Sequence, residues 1–487
     1  MKKIILITVV VIVAALPVIP YTIGTTVEEN IRLEHEEGAR EAALSGFDIK
    51  LVDYQRGLFD ASATTRISFT LPQEREPVDI ELRHHISHIP QLTSRVIATV
   101  ETRLVLKDEV AIALSPLFGA VTPLTSHTHI FLDGHQEATL SSPPANGRLH
   151  GKESAAVAWQ GLEGTAWQSP ERDAIRFTLH APGIVINPLR NGPRAANDAA
   201  SDTVTDAPAT LAEAISLSDL HYQGELHKGA SGIWQGKAQG DIAAFTVDLF
   251  DQQSGAPIAL HIDTINLHGD QDESHGLINA SGAMRAKRIT FNDTELSDAH
   301  YDIAIENLDA AALRAWQTTA QQMMRQQPAA NPFAPMREHL PALLNAHPII
   351  KINELSVMSK EGRFALTMEA RLNGEWNDML LENPLLLTSQ LEANLSASVP
   401  RSTVVTTLQE KVRQAILTQA AASEGEISDE DLESAVEQGV NQQLSALLDQ
   451  GYIKENGGQL ESRVEYSAGQ LTINGMDASP LMGAMMQ

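Results

Sequence analysis

The chain has 487 residues, with 35 Lys plus Arg against 62 Asp plus Glu for a net charge of −27, and no cysteine. That balance excludes nucleic acid as a partner, because such binding rests on cationic neutralisation of phosphates, and it disfavours broad docking on anionic lipid head groups. The missing thiols exclude disulfides, thiolate metal sites and cysteine nucleophiles. A hydrophobic content of 43% is enough for a buried core, and the length suits roughly two to four domains.

Lys2 and Lys3 precede a run that is apolar from Ile4 to Ile19 except at Thr8. A helix from Ile4 to about Ile23 spans roughly 30 Å, the thickness of a hydrocarbon core. Glu28, Glu29, Glu34, Glu36 and Glu37 follow it. Positive charge stays cytoplasmic, so the rest of the chain is expected on the far side. The run is longer than the core of a secretory signal, and Ala14 and Ala15 are adjacent and not spaced as a small-x-small cleavage site. Residues 1–23 therefore read as an uncleaved single-pass anchor in a bacterial inner membrane, inserted through residues 4–23, with the bulk of the chain periplasmic.

Residues 24–46 read as a solvated juxtamembrane helix. Thr26 caps it, Glu29 takes the capping-box position and Gly46 ends it. From Phe47 the period changes to two. Phe47, Ile49 and Leu51 alternate with Asp48, Lys50 and Val52, a turn follows at Arg56-Gly57, and an extended run covers Ala61–Leu71. Between Arg95 and Leu106, Val96, Ala98, Val100, Thr102, Leu104 and Leu106 share one face, the mark of a half-buried antiparallel strand. Further strands are predicted near 80–89, 110–115, 124–132, 155–162 and 175–185, completing a β-rich region over 47–189.

Residues 190–210 are poor in bulky apolar side chains and read as a flexible linker or loop. A second β-rich region covers 211–308, with a strand at Ile215–Leu226. Trp159-Gln160-Gly161 recurs as Trp234-Gln235-Gly236, and strands are read as ending near Gly269, Gly374 and Gly475. Residues 309–487 mix helix and strand. Asp309 caps a helix to about Gln326, Pro328–Pro335 breaks it, and a second helix reaches about Asn345. A hairpin follows over 347–373, then a helix over 402–420. A helix from Ser428 carries an apolar stripe of Leu432, Val436, Val440, Leu444, Leu447 and Leu448, with Gly451 as its stop. A closing hairpin runs from Gln459 to Asn474. The predicted fold class is α+β: one transmembrane helix, then a large antiparallel β-rich domain of extended twisted hairpins, with several helices in the C-terminal third.

Short catalytic signatures are missing. There is no G-x-S-x-G, no complete P-loop at Gly232–Ala238, and His35-Glu36-Glu37-Gly38-Ala39 lacks the second histidine of a zinc protease helix. His127 and His129 lie two apart on a strand, His135 follows a turn, and His84, His85 and His88 form a neighbouring group. Such histidines can bind zinc or copper where they converge, but they read here as polar residues on the wet side of a sheet. No catalytic, cofactor or metal residue is assigned. Tyr54-Gln55-Arg56-Gly57-Leu58-Phe59 reads as a hairpin pinned to the core, with Arg56 and Tyr54 able to orient an anionic head group. The sheet's apolar face must be covered by helices, another sheet or a ligand, and an open groove there could hold acyl chains.

A Lys-led anchor, a short acidic helix, the string Tyr54–Phe59 and a closing Gly469-Gln470-Leu471-Thr472-Ile473-Asn474-Gly475 resemble the YdgA/YihF-like family of bacterial proteins of uncharacterised function. The resemblance implies an inner-membrane anchor and a periplasmic domain, and makes Tyr54, Gln55, Arg56, Gly57, Leu58, Phe59, Asn474 and Gly475 family-motif residues. The family's His-Gly-Pro string is replaced here by His84-His85-Ile86-Ser87-His88-Ile89-Pro90. In plan the chain is also similar to AsmA-like lipid-handling proteins. The expected function is non-enzymatic: a membrane-anchored binding or scaffold protein of the periplasm, acting in envelope biogenesis or maintenance. Its partner is an envelope protein or lipid, and homo-oligomers fit the reading. The alternatives are lipid binding or transfer in an apolar groove, and a carboxylate- or metal-dependent envelope hydrolase.

Overall fold

The computed structural model describes residues 18–43, 47–69, 78–91, 93–105, 108–149, 154–189, 214–250, 256–326, 336–374, 390–422 and 428–479. Most of the expected anchor, the linker at 190–210 and the break at Pro328–Pro335 lie outside them. Among the described residues no helix is long and apolar enough to cross a membrane. The chain divides into two units, Met1–His261 with Arg314–Arg337, and Ile262–Leu313 with Glu338–Gln487.

The first unit opens with helix α1 (Val18–Ala43). It begins eight residues before the expected cap at Thr26. Pro20 sits in the first turn, where a missing N–H costs no hydrogen bond, so nothing stops the helix there. The helix is also not a solvated spacer. Val27 and Ile31 are buried in one cluster with Ala61, Ala63, Ile86, Ala98 and Ile130. A meander lies beneath it: β1 (Asp48–Arg56), β2 (Asp60–Phe69), β3 (Val78–Ser87) and β4 (Val96–Val105), then helix α2 (Asp108–Phe118) and β5 (Thr125–Phe131), with each strand antiparallel to the one before. The small Ala61, Ala63 and Ala98 let α1 lie close to this sheet, and Ile86 fills the middle.

The strand predicted at 110–115 is α2. The run Val110–Leu114 is continuously apolar and does not alternate, so it has no strand period. Its last turn lies over Gly147. A Cβ at Gly147 would stand 2.3 Å from the Pro116 carbonyl oxygen, so no larger residue fits.

Beyond β5 the sheet continues through β6 (Gln136–Ser142). β7 (Ala145–Leu149) and β8 (Ser154–Trp159) form a side hairpin, and β9 (Leu162–Gln168) pairs with β6. β10 (Ala174–Leu189) is long enough to pair with β9 along its first half and β8 along its second, and then with β11 (Ala214–Lys228). β12 (Trp234–Phe250) pairs with β11. The Trp-Gln-Gly echo is not a repeat, because Trp159 ends β8 whereas Trp234 begins β12.

The division between the units falls within β13 (Pro257–Ser274), and Gly269 lies inside this strand and not at its end. In the second unit β14 (Leu277–Phe291) and β15 (Thr294–Asp309) are antiparallel. Helix α3 (Ala310–Gln326) starts where expected, with the Asp309 carboxylate accepting from the Ala312 N–H at 2.7 Å. Helix α4 (Met336–Asn345) precedes β16 (Ile349–Ser359), β17 (Gly362–Leu372) and β18 (Leu391–Pro400), which extend the sheet from β15. Helices α5 (Arg401–Ala422) and α6 (Asp429–Asp449) pack on each other through Val412, Leu432, Val436 and Val440. Ser428 caps α6 by accepting from the Asp431 N–H, and Gly451, at φ 74°, ends it. β19 (Lys454–Asn456), β20 (Gln459–Ser467), β21 (Gln470–Ile473) and β22 (Met476–Asp477) close the chain, with β20 pairing to β18.

Candidate functional site

The string Tyr54–Phe59 forms the turn end of the β1–β2 hairpin and clamps α1. Arg56 donates to the Thr25 hydroxyl at 3.0 Å and pairs with Glu28 at 3.2 Å. The Arg32 guanidinium lies over the Tyr54 ring, 5.4 Å from its centre. The Tyr54 hydroxyl is buried with no hydrogen-bond partner, and burial, aided by the Glu28 charge, pushes its pKa up to about 12. Gln55 donates to Asp53, and the Gly57 N–H donates to the Asp60 carbonyl at 2.7 Å. Leu58 and Phe59 are exposed, while the Phe59 carbonyl accepts from the His88 N–H. Arg56 and Tyr54 are thus committed to the helix.

The other motif residues form a second kind of joint. Asn474 and Gly475 are the two central residues of the β21–β22 turn, with φ 52° and 81°, the left-handed pair that a tight hairpin requires. The Asn474 side chain also accepts from the Arg463 N–H and donates to the Gly451 carbonyl, both at 2.9 Å. It ties the turn to the end of α6.

The histidines singled out in the sequence do not converge on a metal. His84 belongs to a hydrogen-bonded chain that fastens α1. His35 Nδ1 donates to the Ile31 carbonyl, so its Nε2 accepts from the Thr65 hydroxyl at 2.5 Å. His84 Nε2 donates to Thr65 at 2.8 Å, and His84 Nδ1 accepts from the Thr102 hydroxyl at 2.8 Å. Burial, and secondarily His35, lowers the His84 pKa to about 4. His88 is fully buried against Gly24 of α1, with both ring nitrogens unpartnered, and burial lowers its pKa. His85, Glu101 and His127 are successive cross-strand partners on β3, β4 and β5. His135 stacks on Phe131 and pairs with Asp133 at 2.5 Å.

Among the described residues one group of histidine and carboxylate atoms does converge: His180, Asp219 and His221. Cross-strand register builds it. Ser141, Glu163, His180, His221 and Asp241 are direct partners on β6, β9, β10, β11 and β12, and so share one side of the sheet. Asp219, with φ 50°, kinks β11 two residues before His221. Its Oδ1 meets His180 Nε2 at 3.1 Å and His221 Nε2 at 3.0 Å, and the two rings stack with centres 4.2 Å apart and planes 11° apart. The His180 hydrogen bond, and next the His221 charge, hold the Asp219 carboxyl below the usual range. This row floors a groove of about 710 Å³, whose next polar row includes Thr165 and Thr178, joined at 2.7 Å. Glu163, Asp219 and Asp241 bring negative charge, and among the described residues no Lys or Arg lines the groove.

A second groove, of about 530 Å³, lies in the other unit and has the opposite balance. Arg285, Lys287 and Arg363 line it. His300 Nε2 accepts from Arg285 at 3.2 Å, which leaves Nδ1–H to donate to Glu354 at 2.7 Å. Glu354 also accepts from Arg363 and, at 2.6 Å, from Ser356. These hydrogen bonds, that of Ser356 first, hold the Glu354 carboxyl low.

Both grooves escaped the sequence reading. The strands at 175–185 and 215–226 were legible, but the register that sets His180 beside His221 was not, because residues 190–213 intervene. The spacing Asp219-x-His221 was the local signal.

No curated protein and no solved structure matches the chain. A family model described as a bacterial protein of unknown function (DUF945) matches residues 1–480, and the chain belongs to that family.

Proposed function

We propose that this chain is a non-enzymatic envelope protein, a YdgA/YihF-like member of its family. Residues 4–23 hold it at the outer face of the bacterial inner membrane, and it binds a partner there in envelope biogenesis or maintenance. One observation carries the binding half of this reading: an open apolar face on the sheet of the second unit. Met284, Tyr301, Leu355 and Leu366 are successive cross-strand partners on β14–β17. The next row runs Gly282, Ile303, Ile352, Met368, Leu395 and Val464, reaching β20. Met284, Tyr301, Ile305, Ile350 and Leu355 remain 42%, 38%, 36%, 48% and 43% exposed. The opposite side carries Arg285, His300 and Lys351. A contiguous apolar patch with polar surroundings is the usual mark of an interaction surface.

The anchor rests on the sequence: two lysines, an apolar run long enough to span, and an acidic flank. The same apolar rows also suit acyl chains, and this favours phospholipid as the second reading of the occupant, on the AsmA-like plan.

Photo-cross-linking residues at Tyr301 and Leu355, introduced in living cells, test the binding reading. A discrete protein adduct is expected from both positions, and a phospholipid adduct in its place would select the second reading. No adduct above the level given by Ser281, on the polar side, would overturn both. A C-terminal alkaline phosphatase fusion tests the location. It is expected to be active and membrane-bound, and a soluble, N-terminally trimmed product would contradict the anchor.

A further inference from the structure

The polar groove of the first unit holds a feature that partner binding does not use. We propose that His180, Asp219 and His221 form a site for a divalent transition metal of the imidazole-seeking kind, zinc or copper.

Three observations carry this. Two imidazole nitrogens and a carboxylate oxygen lie within 4.8 Å of one another, and they come from two adjacent strands, so the sheet fixes their spacing. A zinc ion takes nitrogen and oxygen ligands at about 2.0–2.2 Å, which puts neighbouring ligand atoms roughly 3.3 Å apart. The separations from Asp219 Oδ1 to the two rings, 3.1 and 3.0 Å, are already close to that. Further donors stand on the same rung. Glu163 is the cross-strand partner of His180 and Asp241 that of His221, and direct partners have Cβ atoms about 4.5–5.5 Å apart, within reach of a shared ion. Among the described residues the groove is lined by carboxylates and by no Lys or Arg, so their field favours a cation. Oxygen-only cations such as calcium and magnesium fit less well, because two of the three converging atoms are imidazole nitrogens.

The orientation of the two rings dictates what binding must change. A metal lies in the plane of each imidazole that ligates it. The two rings now stack with planes 11° apart, and Asp219 accepts from both. Binding needs each Nε2 lone pair, so each ring takes the tautomer with its proton on Nδ1, and the rings fan apart about the metal. Both rings are open enough to solvent to turn.

The test uses the full chain, purified in detergent with a histidine-free tag and dialysed against a chelator. Zinc chloride is titrated calorimetrically, and cobalt chloride is titrated with the visible spectrum as readout. One equivalent of zinc is expected, with a cobalt d–d spectrum of low-symmetry nitrogen–oxygen coordination. The double variant H180A/H221A and the single variant D219N are each expected to weaken zinc binding by about a hundredfold or more for the pair and tenfold or more for the single change. The control H127A/H129A removes as many imidazoles from the same side of the sheet and is expected to bind as the unaltered chain does. Equal affinity in the unaltered chain and H180A/H221A would overturn the proposal, as would no stoichiometric binding. An unchanged melting temperature in D219N separates loss of the site from loss of the fold.

Discussion

The sheets of the two units each have an apolar side, and the two are treated differently. Over β1–β5 the apolar side is sealed by α1, with Val27, Ile31, Ala61, Ala63, Ile86, Ala98 and Ile130 all buried. Over β14–β17 the equivalent side is built of larger residues, Met284, Tyr301, Ile305, Ile350 and Leu355, and each keeps more than a third of its surface in water. Side-chain size accounts for part of this. Alanines at 61, 63 and 98 allow the α1 backbone to approach its sheet closely, and among the described residues the larger side chains over β14–β17 have no such close-lying helix in a buried cluster. The polar clamps account for the rest. The His35–Thr65–His84–Thr102 chain, the Arg56–Glu28 pair and the Arg172–Asn30 hydrogen bond at 2.9 Å fasten α1 to its sheet.

The contrast is broken most directly by placing a charge on each apolar side. Val27→Asp buries a carboxylate with no partner and is expected to destabilise the first unit by about 4 kcal/mol. Leu355→Asp sits at an open position and is expected to change stability by less than about 1 kcal/mol. Urea denaturation of both variants measures the difference, and equal losses would mean that the second side is also packed.

Acid tests the polar clamp. His84 has a pKa of about 4 in the folded chain against an ordinary 6.5, so the unfolded chain takes up a proton that the folded chain refuses. The stability involved is fully present above about pH 6.5 and is lost as pH falls towards 4, by an amount on the order of 3 kcal/mol. Melting curves at pH 7 and 4.5 read this loss, and His84→Gln is expected to reduce the slope. The end of the second unit gives a smaller effect. Asn474→Ala removes two hydrogen bonds and puts alanine, which tolerates the left-handed region less well than asparagine, at φ 52°, at about 1–2 kcal/mol. Smallest of all is Tyr54→Phe. It deletes a buried hydroxyl that has no partner, so the melting temperature is expected to stay level or rise slightly.

Much of this was legible in the sequence where a local pattern met a local rule. The alternation through Val96, Ala98 and Val100, the Asp309 and Ser428 caps and the Gly451 stop all follow from spacing alone. So does the hairpin at Ile350, Ile352, Leu355 and Val357. Its break of three between Ile352 and Leu355 is a β-bulge that keeps the apolar residues on one side. Patterns that depend on distant partners were not legible. The charged surface of α1 suggested a spacer because only Val27, Ile31 and a few others face its sheet, and two well-placed residues suffice against a bed of alanines. The run Val110–Leu114 has no period, and a short apolar run without a period does not separate helix from strand. The two grooves depend on register across many residues, and no local signal encodes register.

The absence of cysteine makes the central claim open to a direct measurement. Leu355→Cys, Ser281→Cys and Ile86→Cys each place one thiol in the chain, on the open apolar side, the polar side and the sealed apolar side. Labelling by a membrane-impermeant maleimide is compared between intact cells with a permeabilised outer membrane and the purified protein. If the open apolar side is the binding surface, Leu355→Cys labels rapidly when purified and is protected in cells, Ser281→Cys labels in both, and Ile86→Cys labels in neither. Equal labelling of Leu355→Cys in cells and in the purified protein would show that side to be unoccupied and would contradict the account.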